Sequence, residues 1–370
     1  MQRTFENLNN MPLYRVSLGS KELFHSEFLQ TMFEWYPNLM NPILASWMGV
    51  DNIKILSSER EAEGYKDLVI VIEHNGQKRK IIIENKVKSL PTEEQILSYS
   101  KKKEYHKGIL LSLLTVDFLS EGEIKTYGFV QWTSISYKCL FKDLKEILPE
   151  IQKKNAKHAM YFEDYLFILE ALISIPFEMD VENDTLDMTR NNLLWAALEK
   201  IRFQDVYEKI KFRQIALHVL RSLQGNVYFS KDWTNGKRGD VYVYDGYIRR
   251  SGLFDVKVVL APSLCLNVQI QAQTFKLMVE GVKSNQKEVE SLAYRMLERG
   301  EWFDFEKIPH DTVYPKGDKV FNGYGEIRKS GEQWIFNKSV QMKTPRLKNV
   351  IEWTLFYVDQ ARQIALSFEQ

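Results

Sequence analysis

The sequence predicts an α/β (α+β) protein, and three patterns lead to this fold class. Short β-branched runs lie on both sides of an Asn-Gly pair at residues 75–76, which is typical of a β-hairpin. Apolar residues recur at helical spacing over residues 21–35. Beyond residue 225 the chain has short strands, and in residues 264–271 apolar and polar side chains alternate, which indicates an antiparallel sheet with one buried face.

The N-terminal half is predicted to contain helix, strand, strand, strand, helix, strand and strand. These elements occupy residues 21–35, about 52–60, the hairpin of 66–86, and then 92–105, 107–115 and 127–135. Two further helical patterns end near residue 175. The polar segment 176–189 then breaks the periodicity, so we place a boundary there, between an N-terminal domain of residues 1–176 and a C-terminal domain of residues 177–370.

The C-terminal domain is predicted to begin with helices over residues 191–223 and to continue as strands, with further helices at 284–300 and 346–368. One strand carries three amides, which we interpret as a solvent-facing surface, with contact to a ligand or to nucleic acid as the alternative. These amides are Asn267, Gln269 and Gln271. Sequence specificity, sensing and a homo-oligomer contact are the roles we consider for this domain.

The hairpin predicts a close pair of acidic residues. If Asn75 and Gly76 are the central residues of a type I′ turn, the numbers of cross-strand partners sum to 151. Asp67 then lies directly opposite Glu84, where two like charges destabilise a sheet. Because side chains alternate along a strand, Lys86 shares the face of Glu84. The register therefore predicts two carboxylates and an ammonium on one patch.

This acidic patch has two chemical interpretations. Neighbouring carboxylates suit a hard divalent cation such as Mg²⁺, which prefers oxygen ligands. A lysine beside them can position or deprotonate a water, or stabilise charge that develops on a phosphoryl oxygen. Alternatively, Lys86 forms a plain salt bridge with Glu84 or Asp67 at a half-exposed strand end.

The helix after the hairpin adds two polar residues. Gln95 and Tyr99 are four residues apart, so they share one helix face and can both turn toward the acidic patch. The run from Thr92 to Gln95 is also a capping-box pattern, in which Gln95 satisfies only a backbone amide at the helix start. The pattern leaves both interpretations open.

A polar stripe lies along the N-terminal helix. Glu22, His25 and Ser26 recur at i, i+3 and i+4, and the stripe continues into Leu29 and Phe33, which suggests that the polar residues border the core. The alternative is a surface helix with a solvated glutamate and histidine.

Together these residues resemble the motifs of the PD-(D/E)XK nuclease superfamily. The acidic residue that opens one strand and the E-x-K of the next correspond to Asp67 and to Glu84-Asn85-Lys86, with Lys66 in place of the usual proline. The Q-x-x-x-Y motif and the E-x-x-H-S opening helix of one subfamily match the two patterns described above. The resemblance covers about a third of the chain and implies a restriction-endonuclease-like core, with a mixed central sheet flanked by helices.

The resemblance implies a Mg²⁺-dependent nuclease that hydrolyses phosphodiester bonds of DNA, with Mn²⁺ able to substitute and RNA as the alternative substrate. By that resemblance, Lys86 would position the attacking water or stabilise charge, and Gln95 and Tyr99 would orient the site. The metal would be held by Asp67, Glu84, the backbone carbonyl of Asn85, and Glu22. Restriction or phage defence is the implied biological setting.

Two other function classes are compatible with the sequence. The first is a catalytically silent nucleic-acid-binding or regulatory protein that keeps the nuclease-like core as a scaffold. The second is an assembly or sensor protein whose activity lies in the C-terminal domain. Metal-dependent cleavage that needs Glu84 distinguishes the enzyme from both.

The composition excludes several classes. A formal net charge of +1 argues against a globally basic nucleic-acid coat, although positive charges concentrate around the acidic patch in the sequence. These charges are at positions 78–80, 86, 88 and 101–103. Cys139 and Cys265 are too few for a disulfide scaffold. Without a long apolar run or a secretion signal, we expect a cytoplasmic protein with no membrane contact.

Overall fold

The chain forms two compact units. The first contains residues 1–175 and 196–203, and the second contains residues 176–195 and 204–370. The computed structural model describes, within these units, residues 11, 13–14, 21–61, 66–87, 91–114, 116, 118–175, 179–186, 193–248, 251–282, 285–314, 327–330 and 332–368.

The first unit includes a helical segment that the sequence assigned to the second domain. The predicted boundary at residue 176 lies beside the observed one, but residues 196–203 belong to the first unit. Leu198 and Ile201 are fully buried, and the hydroxyl of Tyr14 donates a 2.7 Å hydrogen bond to the carbonyl of Ile201. A polar break in the sequence shows where one helix ends, but it does not show which core the next helix joins.

The first unit consists of helices on a sheet. Its elements are α1 (Lys21–Trp35), α2 (Pro37–Met48), β1 (Ile53–Glu61), β2 (Lys66–His74), β3 (Gln77–Lys86), α3 (Glu93–Tyr99), β4 (Tyr105–Ser112), β5 (Ile124–Tyr127), β6 (Val130–Ser136), α4 (Tyr137–Lys154) and α5 (Ala156–Ile173). The next helix, α6 (Leu193–Lys200), crosses the division between the units.

The sheet of the first unit has six strands in the order β1-β2-β3-β4-β6-β5. The strands β3, β4 and β6 are parallel, and the other neighbours are antiparallel. The predicted mixed sheet is therefore confirmed. Helix α1 contacts β1, β2 and β3, while Ile96 of α3 packs in a cluster with Val69 and Ile82. Because β3 and β4 are parallel, both end at the same edge of the sheet.

The predicted hairpin and its register are confirmed. Asn75 and Gly76 have φ values of 51° and 71°, the positive values that a type I′ turn requires at both central positions. The paired residues run from His74 and Gln77 to Leu68 and Ile83, and their numbers sum to 151 throughout.

The helix after the hairpin ends earlier than predicted, at Tyr99. Ser100, which is fully buried, is held from across the sheet, since Trp132 Nε1 donates to its hydroxyl at 2.8 Å and the amide of Phe129 donates to its carbonyl at 2.9 Å. The chain therefore turns before residue 105 and enters β4. The strand predicted over residues 127–135 is likewise divided by a turn, which separates β5 from β6.

The second unit has a larger sheet. Its elements are α7 (Gln204–Ser222), β7 (Val227–Phe229), β8 (Val241–Ile248), β9 (Ser251–Ala261), β10 (Leu264–Gln271), β11 (Thr274–Val282), α8 (Gln286–Arg299), β12 (Arg328–Ser330), β13 (Gln333–Gln341) and α9 (Leu347–Ser367), with a single 3₁₀ turn at His310–Thr312. None of the described helices is long and apolar enough to cross a bilayer.

The second sheet has seven strands in the order β12-β13-β11-β10-β9-β8-β7. It is antiparallel as predicted, except at one edge, where β7 and β8 are parallel because a long connection returns the chain in the same direction. Helices α7, α8 and α9 pack on one face. The core there joins sheet residues such as Val256 and Leu266 to helix residues such as Val219 and Tyr357.

The other face of this sheet is not the solvent-facing surface that the sequence predicted. Asn267 and Cys265 are fully buried, and Gln269 and Gln271 are half-buried. The alternation of side chains correctly indicated which residues share a face. It could not indicate how deeply that face is covered.

Candidate active site

Glu84 and Lys86 lie at the carboxyl end of β3, on the face that packs against α3. Only 1% of Glu84 and 8% of Lys86 are exposed, and Lys86 Nζ lies 2.6 Å from Glu84 Oε1. The ion pair of the simpler interpretation is therefore present. It is buried, however, and not half-exposed, so each charge loses much of its hydration and depends on the other.

Asp67 lies at the position that the hairpin register predicts, because it directly precedes Leu68, whose partner at the end of the ladder is Ile83. Its Oδ2 accepts a 2.7 Å hydrogen bond from the backbone amide of Asn85. This bond and the ammonium of Lys86 offset the repulsion expected between two carboxylates at neighbouring positions. The structure thus brings the three predicted residues together at one edge of the sheet.

Helix α3 directs Gln95 into this cluster. Gln95 Nε2 donates to Glu84 Oε1 at 2.6 Å and to the hydroxyl of Tyr99 at 2.9 Å. The interpretation that Gln95 satisfies only a backbone amide is therefore wrong. Thr92 still caps the helix, because its hydroxyl accepts from the backbone amide of Gln95 at 3.3 Å. The side chain of Gln95 therefore serves the acidic cluster while its main chain serves the helix start.

Tyr99 feels the charges of the whole cluster. Burial raises the pKa of Tyr99 above its usual value, and the Glu84 carboxylate raises it further, against the opposing effects of the Gln95 hydrogen bond and Lys86. Asp67 contributes in the same direction as Glu84. The phenol of Tyr99 is therefore protonated at neutral pH and can donate a hydrogen bond.

Asn85 points to the opposite face of the sheet, where two helices hold it. Its Nδ2 donates to the Ser26 hydroxyl of α1 at 3.1 Å, and its Oδ1 accepts from the Tyr137 hydroxyl at the start of α4 at 2.7 Å. All three residues are buried. This contact explains why α1 carries a serine on its inner face, and it anchors the strand end that bears Glu84 and Lys86.

His25 also packs beside Tyr137, the residue that holds Asn85. It is 2% exposed, its Nδ1 lies 3.0 Å from the hydroxyl of Tyr165, and its ring meets that of Tyr137 edge-on at 5.4 Å. The prediction that the polar stripe of α1 borders the core is confirmed for His25 and Ser26. A solvated surface helix does not describe these two residues.

Two of the three glutamates of α1, Glu22 and Glu27, lie in different environments. The backbone of Glu22 belongs to α1, one turn before His25, but its side chain lies outside the described residues, so its predicted role as a metal ligand stays a prediction. The side chain of Glu27 is 59% exposed, and it pairs with Arg60 at 2.7 Å. It belongs to the outer surface of the helix.

Lys66 is a second lysine that the sequence interpretation did not use. It is 4% exposed, and its Nζ lies 4.8 Å from the centre of the Tyr105 ring and 5.8 Å from that of Tyr99. Cation–π contact with two aromatic faces contributes to the stability of this buried charge. It adds a buried positive charge beside Asp67, where the resembled motif has a proline.

The positive charges around the acidic patch are more dispersed than the sequence suggested. Lys78, Arg79 and Lys80 lie near the hairpin turn. Lys80 is four positions before Glu84, about 13 Å along an extended strand. Lys80 also lies 3.9 Å from a carboxylate oxygen of Glu104. These three residues therefore lie along β3 away from the acidic cluster, while the wider expectation of positive charge around the site stays a prediction.

The oxygen ligands at this site are of the type that a hard divalent cation prefers, but two carboxylates are fewer ligands than such a cation needs. Asp67 and Glu84 provide carboxylate oxygens, and one oxygen of each already accepts a hydrogen bond from the protein. Within the part of the chain that the structure describes, no group of three or more His, Cys, Asp or Glu side chains could hold a metal. A complete site would need backbone oxygens, water or Glu22.

Two contacts of the site were missed because they are remote in sequence. Tyr137 is 52 residues from Asn85, and Tyr165 is 140 residues from His25. The sequence did contain a signal for Tyr137. This residue directly follows β6, and β6 is parallel to β3, so Tyr137 begins where the carboxyl end of β3 also lies.

No protein-family model, no curated protein and no solved structure matches this chain.

Proposed function

We propose that this protein is a metal-dependent nuclease that hydrolyses phosphodiester bonds of DNA. The observation that carries the proposal is the convergence of Lys86 and Gln95 on one oxygen of Glu84, each at 2.6 Å, beside Asp67 at the edge of the sheet. Two carboxylates with an ammonium between strand ends offer oxygen ligands to a cation and a positive charge to a phosphate. The motif resemblance and the six-stranded mixed sheet support the same reading.

Asp67 and Glu84 are the side chains that would hold the cation, with the backbone carbonyl of Asn85 and the side chain of Glu22 as further ligands suggested by the motif. When bound, Mg²⁺ or Mn²⁺ would polarise the scissile phosphate and lower the pKa of an attacking water.

The protein's own groups have separate tasks in this proposal. Lys86 neutralises Glu84 at rest, and its ammonium can stabilise a phosphoryl oxygen as negative charge develops there. Gln95 fixes the carboxylate of Glu84 and links it to Tyr99. Asn85, held from behind, keeps the end of β3 rigid, so the charged groups need little reorganisation during reaction.

A catalytically silent nucleic-acid-binding or regulatory protein is the second candidate, and one observation favours it. Oε1 of Glu84 is already satisfied by Lys86 and Gln95 without a metal. A buried ion pair of this kind can serve structure alone. In that case the nuclease-like sheet is a scaffold, and neither cleavage nor metal binding depends on Glu84.

Cleavage of supercoiled plasmid in Mg²⁺ or Mn²⁺ tests the proposal. We expect Glu84→Gln, which keeps the size of the side chain and removes its charge, to lower the rate by about 100-fold or more. The matched control is Glu73→Gln, an exposed glutamate on β2 of the same hairpin, which we expect to cleave at the wild-type rate.

Full activity of Glu84→Gln would contradict the assignment of the site. If the wild type does not cleave, calorimetric titration with Mg²⁺ and Mn²⁺ decides between the candidates. Metal binding that Glu84→Gln loses would support a nuclease that lacks its substrate in the assay. An absence of binding in the wild type would favour the silent scaffold.

A further inference from the structure

The first sheet gathers basic residues at the end opposite its acidic cluster. The strands β3, β4 and β6 are parallel, so the chain enters all three at the same end of the sheet. Three segments meet there: the start of β3 after the hairpin turn, the residues just before β4, and the turn just before β6. We call this the basic end and define it by Lys78, Arg79, Lys80, Lys101, Lys102, Lys103 and Phe129.

Contacts between side chains join the three segments. Glu104 Oε2 lies 3.9 Å from Lys80 Nζ, and Glu104 Oε1 lies 3.4 Å from Lys102 Nζ, which links β3 to the residues before β4. Lys103 Nζ lies 4.9 Å from the centre of the Phe129 ring, which links those residues to the turn before β6. The three segments therefore contribute to one surface.

The carboxylates at the basic end do not balance its charge. Glu104 is shared by two lysines, as its distances show. Glu73 lies between Lys54 and Lys78 in the sheet register, so it also faces two lysines. Because each carboxylate has two lysines beside it, positive charge remains.

Three of the basic residues are not paired with an acid. Within the part of the chain that the structure describes, no carboxylate lies within 4 Å of Arg79, Lys101 or Lys103. Arg79 Nη1 lies 2.6 Å from His106 Nε2, where burial lowers the pKa of His106 and the charge of Arg79 lowers it further. His106 is therefore neutral at pH 7. A surface with such an excess of positive charge attracts the phosphates of a nucleic acid.

Phe129 adds an exposed aromatic ring to this surface. It is 57% exposed, and lysines 101–103, all exposed, lie beside it in the fold. Phe356 of α9 is a useful contrast, since it is 45% exposed and also has a lysine ammonium 5.3 Å from its ring centre. The helix neighbours of Phe356 are acidic, however, with Glu352 one turn before it and Asp359 one turn after it. Only Phe129 combines an exposed ring with a basic surrounding.

We propose that the basic end binds a single strand of DNA, with lysines 101–103 along its phosphates and Phe129 stacked on one base. Proteins that bind single strands combine positive charge along the backbone with aromatic rings on which bases stack. An unpaired base offers its face to such a ring, whereas the bases of a duplex stack on one another. The inference rests on the proposed function, which takes DNA as substrate, and it adds where the strand lies.

The basic end is close enough to the acidic cluster to guide a strand toward it. Lys80 shares the face of Glu84 on β3 and lies about 13 Å before it. About four nucleotides of one strand cover this distance.

Fluorescence anisotropy of a labelled single strand of about 12 nucleotides tests the proposal. The full chain is titrated in EDTA, which prevents metal-dependent cleavage, from about 50 mM salt upward. We expect the triple variant Lys101→Ala/Lys102→Ala/Lys103→Ala to bind about tenfold more weakly or worse, and to lower the slope of log K against log salt by about 2. The matched control, Lys153→Ala/Lys154→Ala/Lys157→Ala, removes three exposed lysines where α4 meets α5 and should bind as the wild type does.

A second pair of variants tests the stacking. We expect Phe129→Ala to weaken binding of the single strand by about tenfold, because it loses one stacked base, and to leave binding of a duplex of the same sequence unchanged. Phe356→Ala removes the other exposed ring beside a lysine and should bind both as the wild type does.

Three results would overturn the proposal. These are no binding of the single strand by the wild type at about 50 mM salt, a wild-type affinity and salt slope in the variant at 101–103, and equal losses for single strand and duplex in Phe129→Ala. The proposed nuclease function fails separately. A plasmid that stays uncleaved while the basic end binds its strand contradicts the nuclease alone, and cleavage with unchanged affinity in the variant at 101–103 contradicts the basic end alone.

Discussion

Asn85 connects the two faces of the first sheet. Its side chain points away from Glu84 and Lys86 and is held by Ser26 and Tyr137, while its backbone amide donates to Asp67. One residue thus joins α1 and α4 to the acidic cluster on the other face. A shift of Asn85 would move both of its charged neighbours, so we treat its partners as positioning residues.

Tyr137→Phe isolates this support. The variant leaves the buried Oδ1 of Asn85 without its 2.7 Å donor, so we expect the free energy of unfolding to fall by about 1–3 kcal/mol in urea titrations. The control, Tyr161→Phe, removes a hydroxyl from a side chain that is 49% exposed and should change stability by less than about 0.5 kcal/mol. Equal effects of the two variants would show that the contact with Asn85 stabilises nothing.

At the scale of residues, the sequence could predict the acidic cluster but not the hydrogen bonds that hold Asn85 behind it. A single Asn-Gly turn determines the register, and the register determines that Asp67 and Glu84 are neighbours. The sequence could not decide where the side chain of Gln95 points. Its position relative to Thr92 suits a helix cap, and its position relative to Tyr99 suits contact with the acidic cluster. The bond from Tyr137 to Asn85 crosses 52 residues, and no local pattern encodes it.

At the scale of elements, the turn between β5 and β6 controls where α3 ends. Gly128 has a φ of +54°, and a Cβ atom there would lie 2.6 Å from the carbonyl oxygen of Ser100. That carbonyl also accepts from the amide of Phe129. The helix therefore stops at a contact made by a distant turn, which explains why helical propensity alone predicted a longer helix.

Gly128→Ala should therefore be costly. We expect a loss of about 2 kcal/mol or more in the free energy of unfolding, from the positive φ and from the clash with Ser100. Gly122→Ala is a matched control, since Gly122 has a φ of +73° but nothing lies within 4 Å of an added Cβ, so it should lose only about 1 kcal/mol. Thermal and urea unfolding measure both variants. If Gly128→Ala and Gly122→Ala lose the same free energy of unfolding, the clash with Ser100 is contradicted.

The packing of α7 on β9 contains a pH-dependent contact. Glu208 is 7% exposed and accepts a 2.8 Å hydrogen bond from the amide of Gly252. Burial raises the pKa of Glu208 from 4.5 to about 7, despite the opposing effect of that bond. The folded state therefore prefers the protonated acid.

This preference has a definite sign. Because the folded pKa exceeds the unfolded one, the stabilisation is fully present below about pH 4.5 and is lost as the pH rises through about 7. We expect wild type to lose on the order of 3 kcal/mol across this range relative to Glu208→Gln, which does not titrate. Thermal unfolding at pH 5 and pH 7.5 measures the difference. Parallel pH profiles for the two proteins would contradict the assignment.

At the scale of the whole molecule, the chain carries two sheets, each with its own apolar core and its own buried polar cluster. The sequence predicted the division from one polar segment, but residues 196–203 joined the first unit because Leu198 and Ile201 are buried there. The sheet face that carries Asn267, Gln269 and Gln271 was predicted to face solvent. The alternation of side chains shows which face each one points to, but not how deeply that face is buried. What covers or contacts a face depends on the rest of the fold.

Separate cores should give separate unfolding. Phe254 and Ile109 are fully buried in the second and first sheets respectively. We expect Phe254→Ala to destabilise its unit by about 3–5 kcal/mol and to speed hydrogen exchange in β9 and β10, while exchange in β3 and β4 stays as in the wild type. Ile109→Ala should have the reverse pattern. Faster exchange in both sheets for either variant would mean that the two cores unfold as one cooperative body, and that a ligand of one unit stabilises the other.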